Sequence, residues 1–182
     1  VHAPPARAVT LALHEPVGVI GIVAPDEAPL LGLISLAAPA LAMGNAVVAV
    51  PSQRYPLLAT DLYQVLEYSD VPAGAFNIVT GKTAELTAVL AKHDDVDGLW
   101  IVADADTCRK AEAESIGNLK RVWTSNGRAV DWTSPAVGGD FFLRHLGHVR
   151  VGQHLAGARQ VGLALLVAGV AACGLRDLGV LL

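Results

Sequence analysis

The sequence predicts an α/β fold, a parallel sheet of about five strands with helices on both faces, followed by a tail of uncertain structure. Three observations predict it. Short β-branched apolar runs recur along the first two thirds of the chain. Helical stretches of ten to fifteen residues separate them. Strands that alternate with helices in this way pair in parallel, and right-handed crossovers place the helices on both faces.

Residues 18–23, GVIGIV, form the first such run, of the kind that a strand buried on both faces shows. Pro25 and Pro29 break it, and residues 30–43 read as an apolar helix that Gly44 and Asn45 close in the left-handed manner. Residues 46–50 are a second buried strand, ended by Pro51 and Ser52. Residues 56–68 are a helix with Pro56 near its first turn and Leu57, Leu58, Leu62, Val65 and Leu66 on one face. A turn at Val71-Pro72-Ala73-Gly74 leads into a strand at 76–79 and a helix at 83–92. A fourth strand at 99–102, a helix at 106–116 and a fifth strand at 121–124 complete the alternation.

The 182 residues suffice for one domain with an appendage, and about 70% of the unfolded surface can be buried at that size. With 53% hydrophobic but only 5% aromatic residues, the core is built from Ala, Val and Leu. The net charge of −4 comes without a basic stripe interleaved with aromatics, which argues against a nucleic-acid partner. The two cysteines, Cys108 and Cys173, form no CxxC pair, and the opening stretch has no apolar signal region; both point to the cytoplasm.

Charge divides the chain. Residues 1–140 hold sixteen of the seventeen acids and all four lysines, whereas 141–182 hold only Asp177, with four arginines and three histidines. The expected division is a βα domain over 1–135 and a tail over 136–182. Residues 161–175 are an uncharged run of fifteen, short of the ~20 a membrane span needs. Three readings of the tail stand open: a helix docked on the sheet, a weak membrane-associating segment, or sequence foreign to the fold. Membrane association is the least favoured. His145, His148 and His154 lack a neighbouring fourth ligand, so no metal site is expected.

Three stretches carry a family resemblance: EPVGVIGIVAP at 15–25, LAAPALAMGNAVVAVPS at 36–52 and VPAGAFNIVTG at 71–81. HDDVDGLWIVADADTCRK at 93–110 and GNLKRV at 117–122 match in frame. From Glu15 to Gly127 the chain resembles the Rossmann-like cofactor-binding domain of the aldehyde dehydrogenase superfamily. The resemblance implies NAD or NADP as cofactor. It also implies a reaction that needs a thiolate nucleophile, an oxyanion donor, a general base and a held nicotinamide.

Set against that resemblance, the positions that carry the chemistry depart from the family's pattern. Where the family reads PWNFP, with its Asn as oxyanion donor, this chain reads Pro25-Asp26-Glu27-Ala28-Pro29, so Glu27 offers a carboxylate in place of an amide. Losing one oxyanion donor costs about 10²–10³ in rate. Alternatively, Asp26 and Glu27 are solvated loop acids that cap the next helix. The family's KPSE places a Lys on the adenosine ribose; here Val50 replaces it, and Ser52 and Gln53 are the remaining groups for a ribose hydroxyl, or plain turn residues.

The family's FTGS sets a Gly and a Ser under the pyrophosphate, where Ala103 and Asp104 now stand; Asp104 is expected to cap the helix in the cofactor's place. Gly81 survives as a weak cofactor signal. The family's base in LELGG is replaced by Ser125, which has no adjacent His, and Cys108 and Cys173 read as buried small hydrophobes rather than nucleophiles.

The pattern of losses is similar to that of the degenerate C-terminal module of family 16 aldehyde dehydrogenases. The expectation is a domain that is non-catalytic by itself, holds no cofactor with useful affinity and serves the assembly of an active aldehyde dehydrogenase domain or subunit. Two alternatives stand beside it: a fragment of an NAD(P)-dependent aldehyde oxidoreductase whose nucleophile lies elsewhere, and a nucleotide-binding module.

Overall fold

The computed structural model describes residues 11–134 and 147–152. Its elements are β1 (Leu11–Pro16), β2 (Val19–Val23), α1 (Pro29–Ala42), β3 (Ala46–Val50), α2 (Leu57–Tyr68), β4 (Phe76–Ile78), α3 (Thr83–Lys92), β5 (Gly98–Ile101), α4 (Ala105–Glu114), β6 (Arg121–Thr124) and β7 (Gly147–Gly152), with a 3₁₀ turn at Ser115–Asn118. Five strands form one parallel sheet in the order β4-β3-β2-β5-β6. The chain winds outward from β2 through β3 to β4, then returns through α3 to β5 on the other side. That reversal puts a switch point between β2 and β5, where crevices open at the carboxyl ends of strands.

Burial follows the predicted pattern in the sheet but not in α2, where Leu62 and Leu66 pack on the core while Leu57, Leu58 and Val65, expected on the same face, are exposed. In β5 all four residues are buried, and in β2 all but the first. One face packs Ile20, Ile22, Val47, Ala49 and Trp100 against Leu33, Leu36 and Ala40 of α1 and Ala59 of α2. The opposite face packs Val23, Val50, Leu99 and Ile101 against Leu90 and Ala91 of α3 and Cys108 and Ala111 of α4.

The GN that follows α1 shows why that motif is specific. Gly44 adopts φ +81°, and the chain turns so that the amide of buried Asn45 meets three backbone groups. Asn45 Oδ1 accepts from the N–H groups of Val17 (2.7 Å) and Gly18 (3.0 Å), and its Nδ2 donates to Ala40 O at 3.1 Å. One side chain thereby joins the end of α1 to the entry of β2. At the same edge, Lys120 Nζ donates to the carbonyls of Leu90 (3.0 Å) and His93 (2.8 Å), closing the C-terminal end of α3. Burial pushes the Lys120 ammonium below its usual range, against the pull of Asp94 and Asp97.

Two strands lie outside the expected set. β1 and β7 pair antiparallel over six residues, from Leu11 opposite Gly152 to Pro16 opposite Gly147. The tail, whose structure the sequence left open, thus contributes a strand at 147–152. The period-two alternation of GHVRVG is only six residues long and sits in a Gly-, Val- and Arg-rich stretch that hides it. His145, His154, Cys173 and the apolar run 161–175 lie outside the described residues.

Candidate functional site

The carboxyl ends of the parallel strands bring together most of the positions singled out in the sequence. β2 ends at Ala24-Pro25-Asp26-Glu27, β3 at Pro51-Ser52-Gln53, β4 at Thr80-Gly81, β5 at Val102-Ala103-Asp104 and β6 at Ser125-Asn126-Gly127.

At the β2–β3 side, Ser52 is buried and donates its hydroxyl to Asp26 Oδ1, while its Oγ accepts the Tyr55 N–H at 3.2 Å. Asp26 Oδ1 also meets the Arg54 N–H at 3.5 Å. Asp26 is therefore turned toward β3 and not toward the helix that follows it. Helix α1 starts at Pro29 with Ala28 as its cap residue and no side-chain cap. This corrects the reading in which Asp26 and Glu27 cap that helix; Pro29 at the first position already removes one of the N–H groups a cap would satisfy. Glu27 is exposed.

Gln53 crosses to the neighbouring helix, where its Oε1 accepts the Thr83 N–H at 3.1 Å. Between these elements lies an open hollow of about 290 Å³ lined by Pro51, Ser52, Gln53, Pro56, Gly81 and Lys82, with Thr80. The structure so joins Ser52, Gln53 and Gly81 in one place, with Ser52 Oγ and Gln53 Oε1 bonded to the chain itself. Val50 is not part of it: its side chain is buried in the core beside Val23.

At the β5–β6 side, Asp104 caps α4. Its Oδ1 accepts from the N–H groups of Asp106 (3.0 Å) and Thr107 (2.9 Å), and its Oδ2 accepts the Thr107 hydroxyl at 2.7 Å. The Thr107 hydroxyl first, then the Thr107 N–H, hold the Asp104 carboxyl below the usual carboxylate range. Gly127, at φ +73°, backs onto the same helix end; a Cβ there would stand 3.1 Å from Ala105 N. Ser125 is buried and donates its hydroxyl to Ala103 O at 3.3 Å. Cys108, one turn into α4, is fully buried and directs its thiol to Ala103 O at 3.5 Å.

Among the described residues no three His, Cys, Asp or Glu side chains cluster as metal ligands. Among the same residues no helix is long and apolar enough to cross a membrane. The sequence reading missed the tie from Asp26 to Ser52 and the part Lys82 and Pro56 take in the hollow. An acid in place of an aromatic at position 26 was the available signal.

Residues 2–127 match the model of the aldehyde dehydrogenase family. The chain belongs to that family. It is 34% identical over 120 residues to the NADP/NAD-dependent aldehyde dehydrogenase PuuC of Escherichia coli (strain K12), covering 65% of this chain and 24% of the relative. It is 40% identical over 103 residues to the 2-hydroxymuconic semialdehyde dehydrogenase of Pseudomonas putida, covering 56% and 21%.

The fold agrees. An aldehyde dehydrogenase from Brucella melitensis biovar abortus 2308 superposes with a TM-score of 0.62 at 31% identity, over 68% of this chain and 26% of that one. Aldehyde dehydrogenase KauB from Pseudomonas aeruginosa does so with a TM-score of 0.62 at 34% identity, over 68% and 25%. This aldehyde dehydrogenase-like domain thus spans about a quarter of the length of the relatives it matches.

Proposed function

We propose that this aldehyde dehydrogenase-like domain is non-catalytic by itself and serves the fold or assembly of an active aldehyde dehydrogenase domain or subunit. The observation that carries this reading is Ser125, which stands where the family's motif has its base. It is buried, and its hydroxyl is committed to Ala103 O. An alcohol in that setting does not take a proton near neutral pH.

The other positions agree with it. Glu27 presents a carboxylate where the motif has an oxyanion donor, so developing negative charge is opposed. Cys108 is sealed in the core. NAD or NADP, the cofactor the family implies, does not fit the groups at the strand ends. A phosphate would meet the Asp104 carboxylate at the start of α4, and Val50 offers no polar atom for a ribose. No dinucleotide of useful affinity is part of the reading.

An assembly role draws support from α2. Leu57, Val65 and Tyr68 of this helix are 73%, 56% and 89% exposed, on a stripe that also holds the exposed Asp61. Apolar side chains left in water beside a charge are what a polar-rimmed contact would cover. The kinship with the C-terminal module of family 16 and a cytoplasmic location belong to the same proposal. The hollow at Ser52, Gln53 and Gly81 favours a second reading, a nucleotide-binding module, but there the Ser52 hydroxyl and Gln53 Oε1 already bond to the chain itself.

Thiol labelling of the native chain, read by mass spectrometry at Cys108, tests the proposal. Slow labelling that becomes fast on denaturation is the expected result. Fast native labelling at Cys108, prevented by an aldehyde, would overturn it.

A further inference from the structure

We infer that the crevice at the strand ends is closed to a dinucleotide by the chain's own side chains, with the Asp104 carboxylate acting as the internal ligand of helix α4. This deepens the proposed loss of cofactor binding and rests on that reading.

The Asp104 cap makes the closure at α4, and two further ties occupy polar groups at the other strand ends, beside the hollow that stays open. Asp104 takes the N–H groups of Asp106 and Thr107 with one oxygen and the Thr107 hydroxyl with the other. The two N–H donors are among the orphan groups at a helix start, which would otherwise donate to a bound anion. A second anion there must displace the first and also face its charge. Gly127 crowds the same helix start, where a Cβ on it would stand 3.1 Å from Ala105 N.

Gln53 repeats the device on α3, where its Oε1 accepts the Thr83 N–H. Asp26 bridges the ends of β2 and β3 through the buried Ser52 hydroxyl and the Arg54 N–H. Of the three, Asp104 satisfies the most donors and alone carries a charge onto a helix N-terminus. Its removal is therefore the step that reopens the crevice.

The test uses the full chain and two probes, NAD and inorganic pyrophosphate. Binding is followed by calorimetry and by the thermal midpoint, so neither readout depends on turnover. Two variants are compared with the wild type. Ala103→Gly with Asp104→Ser keeps a capping hydroxyl but removes the charge and the Cβ. Asp104→Asn keeps both shape and cap and removes only the charge, so it remains informative should the double variant not fold.

The wild type is expected to give no heat and no midpoint shift with either probe at millimolar concentration. The double variant should bind NAD about tenfold more tightly or better, and Asp104→Asn should gain by a smaller factor. Wild-type binding of NAD in the low micromolar range would overturn the closure. So would folded variants that bind no more tightly than the wild type, since Asp104 would then not be what keeps the anion out. A failure of either kind leaves the absence of catalysis standing, because that rests on Ser125, Glu27 and Cys108.

Discussion

Asp97 Oδ2 accepts the Val19 N–H at 2.8 Å, linking the loop before β5 to the first residue of β2 across 78 positions of sequence. The same carboxylate fills the space beside Gly18, where a Cβ would stand 2.0 Å from Asp97 Oδ2. Gly18 also holds φ +135°, a conformation side chains rarely adopt. Gly18→Ala is therefore expected to destabilise the domain by about 1–3 kcal/mol. The midpoint of urea unfolding measures this, and an unchanged midpoint would show that the close approach is not real.

Asn45 is the second structural anchor. Its amide satisfies Val17 N, Gly18 N and Ala40 O from a buried position. Asn45→Ala leaves two half-buried N–H groups without that acceptor and is expected to cost about 1–3 kcal/mol. Equilibrium unfolding checks the figure; a loss of only a few tenths of a kcal/mol would mean that water replaces the amide.

These anchors also show what was legible in the sequence. The GN after α1 and the β-branched runs announced β2, β3 and the turn between α1 and β3 because each is a local signal: a left-handed glycine, or an apolar run bounded by proline. The boundaries of α4 moved for a local reason as well. Asp104 caps the helix, so helical geometry begins at Ala105, and the last turn tightens into the 3₁₀ segment.

What stayed hidden depends on pairing between distant segments. β1 and β7 are recognisable only when set opposite each other, and Asp26 looks like a loop acid until Ser52 arrives 26 residues later. The positions that depart from the family's pattern were readable because they sit inside local motif frames. What their side chains do instead was not, apart from Asp104, whose cap is itself local.

The Asp104 cap gives a stability difference with a defined pH dependence. Asp104→Ala is expected to cost about 1 kcal/mol at neutral pH. The folded-state pKa lies below the ordinary value of 3.8, so this stability is fully present above that value and fades as pH falls through the folded pKa. The gap between wild type and variant should therefore narrow on acidification below about pH 4. Thermal melts across that range check the sign; a gap that widens in acid would contradict it.

Removing the chain after Pro135 deletes β7 but none of the five parallel strands. The truncated chain is expected to keep cooperative unfolding, with a midpoint that hardly moves, while the β1 amides lose the exchange protection that pairing with β7 gives them. Hydrogen exchange resolved by residue reads both effects. Loss of cooperative unfolding would show that the β1–β7 pair supports the sheet.

The central claim is that this domain does no chemistry alone, and an aldehyde oxidation assay with NAD and NADP tests it most directly. Purified chain, given short aliphatic and aromatic aldehydes, is expected to form no reduced cofactor above a heat-treated control. Turnover above that control, abolished by replacing Cys108 or Cys173, would contradict the account.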